Sequence, residues 1–192
     1  MKKKVSIGIN SIIVILELIG LVMSLNISGL GILQYFTELS NIFAMITSLL
    51  LVGCFIKKKE NKIINLLNYI STCCLMTTFL VVLFVLGPMM GYREMFFGSY
   101  MILHHLICPI LAIINFIFCS GKLIKNSVLF SIIPVLVYGI ITLILNIIRL
   151  MYGPYPFLHV YEQPIYMTFI WFISIIGGSF ICNYCILKFR RK

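Results

Sequence analysis

Six apolar runs follow one another along the chain, each long enough to cross about 30 Å of hydrocarbon, and this restricts the fold more than any motif does. A backbone inside hydrocarbon must satisfy its own hydrogen bonds, which uninterrupted runs of this length do as helices. The runs cover residues 5–25, 33–56, 63–86, 100–119, 127–151 and 164–187. The expected fold is therefore all-α, a polytopic membrane protein whose single domain, residues 1–192, is a six-transmembrane-helix bundle. A mean hydropathy of +1.12, with 61% hydrophobic and 10% charged residues, excludes a soluble core. The first run exceeds the apolar region of a signal peptide and no small-residue cleavage site follows it, so it reads as a retained span.

Charge orients the spans. The net charge of +10 does not indicate a nucleic-acid partner, because the basic residues sit in short clusters between apolar runs. Thirteen of the 15 fall on one side: Lys2 to Lys4, Lys57 to Lys59, Lys62, Lys122, Lys125, Lys188, Arg190, Arg191 and Lys192. Arg93 and Arg149 lie toward the other. Both termini are expected in the cytoplasm, with outer connections near residues 26–32, 87–99 and 152–163, the second of them a loop and the first a turn.

Polar residues inside such spans are costly and usually face a protein interior or a watered cavity. On a 3.6-residue period, His105, Cys108, Ala112, Asn115 and Cys119 form one stripe of the fourth run. In the first run Asn10, Glu17, Gly20 and Ser24 share a face; in the second, Thr37, Asn41, Ala44 and Ser48 do, with Glu38 beside them. The fifth run carries Gly139, Thr142, Asn146 and Arg149, and Pro134 inside it is a candidate kink. Each stripe can serve close helix packing or a pocket, and for Thr37 a hydroxyl bonded to the preceding turn is the ordinary alternative. With about 1.5 Å of rise per residue, Thr37 lies roughly 6 Å in from the outer end, His105 roughly 8 Å and Asn146 about 7 Å. That common depth predicts an outer-leaflet pocket of Thr37 and His105 with Glu17, Glu38, Asn41, His104, Asn115, Asn146 and Arg149 around them. Arg149 is expected to pair with a buried acid, Glu38 being nearer in depth.

The seven cysteines include none in an outer connection, which argues against an extracellular disulfide framework, and the Cys182–Cys185 spacing on an apolar helix reads as packing. No metal and no cofactor is expected. Phosphate-binding glycine loops, GxSxG elbows and HExxH motifs do not occur.

Three stretches carry a resemblance: YFTELSN in the second run, LHHLICPILAIINFIF in the fourth and PYPFLHV before the sixth. They resemble the signatures of the bacterial Pr-six-Pr six-helix membrane-protein family and, more distantly, the androgen-induced membrane threonine hydrolases. The resemblance implies a multi-pass protein of the bacterial plasma membrane, and the hydrolase pattern implies Thr37 and His105 as catalytic residues acting on a long-chain lipid ester. Where that family often carries acids, this chain has Asn115 and His159, so a carboxylate orienting the imidazole would come from Glu17, Glu38 or Glu162. Oxyanion stabilisation would come from Asn41, Asn146, Arg149 or a backbone amide. His104, about 100° around the helix from His105, is then expected to be dispensable. A small-molecule transporter and a non-enzymatic lipid-binding membrane protein are the alternative functions, although no inverted repeat is evident. Membrane lipids are the expected partners.

Overall fold

The computed structural model describes residues 2–58 and 60–190, so the basic residues Lys59, Arg191 and Lys192 lie outside the described residues. The fold is all-helical, and no strand occurs among the described residues. Helix α1 covers Lys2–Ser28 and runs into a 3₁₀ segment, Gly29–Gln34; α2 covers Phe36–Ile56. Helix α3, Lys62–Val81, continues through a π-helical turn, Val82–Leu86, into α4, Gly87–Met90. Helix α5 is the short Tyr92–Phe97; a second π-turn, Leu103–Ile107, leads into α6, Cys108–Cys119. Helices α7, Ser127–Ile147, and α8, Ile165–Phe189, complete the chain.

Five helical stretches among the described residues are long and apolar enough to cross a membrane: Lys3–Gln34, Phe36–Ile56, Lys62–Met90, Ser127–Ile147 and Ile165–Phe189. This makes the chain a multi-pass membrane protein by length and composition. Leu103–Cys119 is apolar but shorter, about 25 Å at helical rise.

Two connections expected to be irregular are helical. The residue 26–32 turn is the end of α1 and a 3₁₀ segment, entered at Gly29 with φ +59° and tied down by buried Ile32. Residues 87–97, expected to be a loop, form α4 and α5, separated by Gly91 at φ +98°, a conformation that favours glycine. Phe96 of α5 is buried with Val82, Leu86, Tyr155, Phe157 and Leu158, so this segment folds back against the bundle. Conversely, the fifth run ends as a helix at Ile147 and not at 151, because Arg149 adopts φ +61°. Pro134 sits within α7 without ending it.

Helix α3 is the central element. Tyr69, Cys73, Leu75 and Val82 are fully buried, whereas α8 exposes Phe169, Ile173 and Ile181 on an apolar surface suited to lipid. One core cluster joins Tyr69, Ile70 and Cys73 to Phe116 and Ile186; another joins Leu75 to Ile13, Ala44 and Ala112. Where hydrocarbon solvates both alternatives equally, apolar contact drives association weakly, and packing plus hydrogen bonds between helices take over. Such bonds are frequent here. Tyr69 donates to the Asn183 carbonyl at 2.7 Å, the Asn183 amide donates to Ser131 Oγ at 2.9 Å, and Thr47 and Ser71 hydroxyls meet at 2.8 Å.

Candidate functional site: a polar cavity at the N-terminus of α2

The N-terminus of α2, the π-turn before α6, α5 and the connection after α7 enclose a cavity of about 260 Å³. Thr37, Glu38 and His105 line it together with Tyr35, Tyr100 and Tyr155. The two residues expected to be catalytic, Thr37 and His105, thus face one space with Glu38, both buried, at 8% and 4% exposure. No hydrogen bond joins them directly.

His105 Nδ1 is 2.5 Å from the carbonyl oxygen of Met95. A carbonyl only accepts, so Nδ1 carries the proton, and Nε2 of the neutral ring keeps its lone pair. The ring is therefore oriented by a backbone group of α5 and not by a carboxylate. Glu17, Glu38 and Glu162 do not bond it: the first two flank His104, and Glu162 accepts from Tyr152 at 2.6 Å.

Thr37 stands in the first turn of α2, where no preceding helical carbonyl is within reach. Its hydroxyl lies 3.4 Å from the Tyr155 hydroxyl, and its backbone N–H donates to the same Tyr155 oxygen at 3.2 Å. The Thr37 carbonyl accepts from the Asn41 amide at 2.7 Å and from Ser40 Oγ at 2.8 Å. Asn41 thus fixes the backbone of the turn and does not offer its amide to the cavity. Burial raises Tyr155 above the ordinary phenol range, so it remains a hydrogen-bond donor at neutral pH. Tyr155 was not singled out in the sequence, although it lies within the PYPFLHV motif.

His104 is almost fully buried, at 1% exposure. Its Nε2 is 3.5 Å from Glu17 of α1, its Nδ1 3.4 Å from Glu38 of α2, and the Tyr100 ring meets its edge at a centroid distance of 5.2 Å. A strict α-helix would turn His104 about 100° away from His105. Here the segment is a π-turn, Leu103–Ile107, and both rings are buried, each among different neighbours. The imidazole also presses on Gly20, where a Cβ would overlap the ring. Gly20→Ala should therefore destabilise the fold by about 1–3 kcal/mol in a denaturation titration in detergent, whereas the same change at Gly8, which has open space around it, should be near neutral.

Six expected pocket residues do not line this cavity: Asn41 and His104 contact residues that do, Glu17 contacts His104, and three lie elsewhere. Asn115 accepts from Ser6 Oγ at 2.8 Å, near the start of α1 and ten residues along from His105, about 15 Å at helical rise. The Asn146 amide donates to the Met151 carbonyl at 3.1 Å and its Oδ1 accepts from Val160 N–H at 3.3 Å, closing the end of α7 onto the following connection. Arg149 is exposed and stacks over the Tyr161 ring at 4.7 Å, so the expected Arg149–Glu38 pair is replaced by His104–Glu38. A common depth along separate helices does not put side chains at the same azimuth, and Arg149 follows the helix end, where φ turns positive.

No family model matches the chain, and neither the curated proteins nor the solved structures contain a significant match to it.

Proposed function

We propose that the chain is a six-span protein of the bacterial plasma membrane, with both termini in the cytoplasm, that hydrolyses a long-chain lipid ester. Leu103–Cys119 with the residues just before it would supply the sixth span beside the five long helices. The basic clusters support the orientation. The YFTELSN, LHHLICPILAIINFIF and PYPFLHV motifs, similar to the Pr-six-Pr family and the androgen-induced threonine hydrolases, support the chemistry. The observation that carries the reading is that Thr37 and His105 line one cavity while the Met95 carbonyl takes the Nδ1 side of His105, the arrangement in which a neutral ring offers Nε2 as the base.

In this mechanism His105 Nε2 takes the Thr37 proton as Oγ1 adds to the ester carbonyl. The negative charge that develops on the carbonyl oxygen is met by the Tyr155 hydroxyl, whose oxygen already accepts from Thr37 N–H and whose proton is left to donate. The imidazolium returns its proton to the departing alkoxide. Water then adds to the acyl-threonine with His105 again as base, releasing the acid and restoring Thr37. The acyl chain would be solvated by the apolar cleft of Val81, Val82, Trp171 and Ile175, which shares Thr37 and Tyr155 with the polar cavity.

A transport function has one observation in its favour, the buried Glu17–His104–Glu38 cluster, since chains of acids and histidines in membranes often carry protons. Ester turnover by purified protein and solute flux in proteoliposomes separate the two. Hydrolysis lost in Thr37→Ala supports the enzyme; flux that survives this substitution, without any hydrolysis, rejects it.

The topology has its own test. In a background lacking the native cysteines, a cysteine at Lys57 or Lys122 should resist an impermeant maleimide added to intact cells, while one at Glu94 or Glu162 should be labelled. The reverse pattern would overturn the orientation.

A further inference from the structure

We infer that Glu17, His104 and Glu38 form a proton-binding triad that exchanges its proton with the cavity through Glu38. This site is independent of the ester-hydrolase reading. Its ligand is the proton itself.

Two carboxylates and one imidazole are packed together, all at 3% exposure or less, and the five acids of the chain are all glutamates, of which Glu60, Glu94 and Glu162 are exposed. Glu17 comes from α1 and Glu38 from α2; Tyr100, His105 and Cys108 are the other titratable groups that face the triad, Cys108 through its thiol bond to Glu17. Among the described residues no lysine or arginine pairs with either acid. A buried cluster in hydrocarbon surroundings is driven toward zero net charge. One imidazolium balances one carboxylate, so the other must be held as the acid. The neutral triad therefore carries one proton more than the imidazolium and two carboxylates could.

The unsatisfied atoms mark where that proton goes. Apart from the Cys108 thiol beside Glu17, both oxygens of Glu17, Oε2 of Glu38 and both ring nitrogens of His104 are buried without a hydrogen-bond partner. The nitrogens stand 3.5 and 3.4 Å from the two carboxylates, one on each side. A closure of about half an ångström would bring either within hydrogen-bond range. Relay then balances without a co-reactant: the imidazolium passes its Nδ1 proton to the Glu38 carboxylate, leaving a neutral ring protonated at Nε2 beside two carboxylic acids, and Glu38 trades that proton with the cavity. Glu38 lines the cavity and is the end of the relay that meets it. Gly20 allows the ring its place between the two acids.

The test is infrared spectroscopy of the full chain in an ester-free detergent, with and without ¹³C-glutamate. The unaltered protein at neutral pH should show a carboxylic-acid C=O band that moves with the label, and transfer to D₂O should shift it promptly. Glu17→Gln and Glu38→Gln should each abolish it, because one carboxylate and one imidazolium remain and balance. Absence of a label-sensitive acid band in the unaltered protein would overturn the proposal without any variant needing to fold. So would a band that survives Glu38→Gln and disappears only with Glu17→Gln, since the proton would then belong to Glu17 alone. A band that stays unshifted in D₂O over hours would remove the exchange with the cavity.

Discussion

Replacing Thr37 with alanine should reduce hydrolysis of a long-chain ester to the level of a protein-free micelle, because nothing else in the cavity supplies a nucleophile positioned beside Tyr155. His105→Ala should lower turnover by about a hundred- to ten-thousand-fold, the usual contribution of a positioned general base. Tyr155→Phe should lower it by about a hundred- to a thousand-fold through loss of the oxyanion donor. That loss should fall on kcat more than on KM, since the donor meets charge that exists only in the transition state. The control is Thr72→Val in α3. The Thr72 hydroxyl is spent on the Asn68 carbonyl of its own helix at 2.8 Å, outside the cavity, and turnover should be retained. His104, which the sequence made the natural control, cannot serve, because its removal disturbs two buried acids. Initial rates with a chromogenic long-chain ester in detergent distinguish these outcomes. Undiminished turnover by the Thr37→Ala protein would sink the nucleophile assignment.

His104→Ala should be among the most destabilising single substitutions in the chain, costing about 3–5 kcal/mol, because it leaves two buried carboxyl groups without the base between them. Adding Glu17→Gln should restore part of that loss, since the double variant contains one buried acid and not two. The destabilisation should also shrink as the pH is lowered, because protonation removes the charge that has no partner. The single tryptophan, Trp171 of α8, has its ring centroid 6.0 Å from that of Phe157, and its fluorescence reports unfolding in a denaturant titration. Losses that simply add in the double variant would show that the three side chains do not act as a unit.

How far each residue could be read from the chain follows from its kind of interaction. The apolar runs and the buried faces of α1 and α2 were legible, because they depend only on helix period: Asn10, Glu17, Gly20 and Ser24 are all buried, as are Thr37, Asn41, Ala44 and Ser48. Depth was legible along each helix, which brought Thr37 and His105 to the same level. Azimuth and end geometry were not. His104, in the π-turn at Leu103–Ile107, is buried between α1 and α2, and one positive φ at Arg149 ends α7 and sends that side chain to Tyr161.

The sequence by itself determined that this is an all-helical, multi-pass membrane chain and which helix faces are polar, because hydrocarbon leaves a backbone few alternatives and period-3.6 patterning is local. Only the tertiary structure decided what the polar residues meet. The Met95 carbonyl that orients His105 comes from a segment that reads as a loop, the Tyr155 hydroxyl comes from 118 residues beyond Thr37, and Glu17 and Glu38 reach His104 from two other helices. These contacts depend on how separate helices are turned against one another, and no local pattern encodes that.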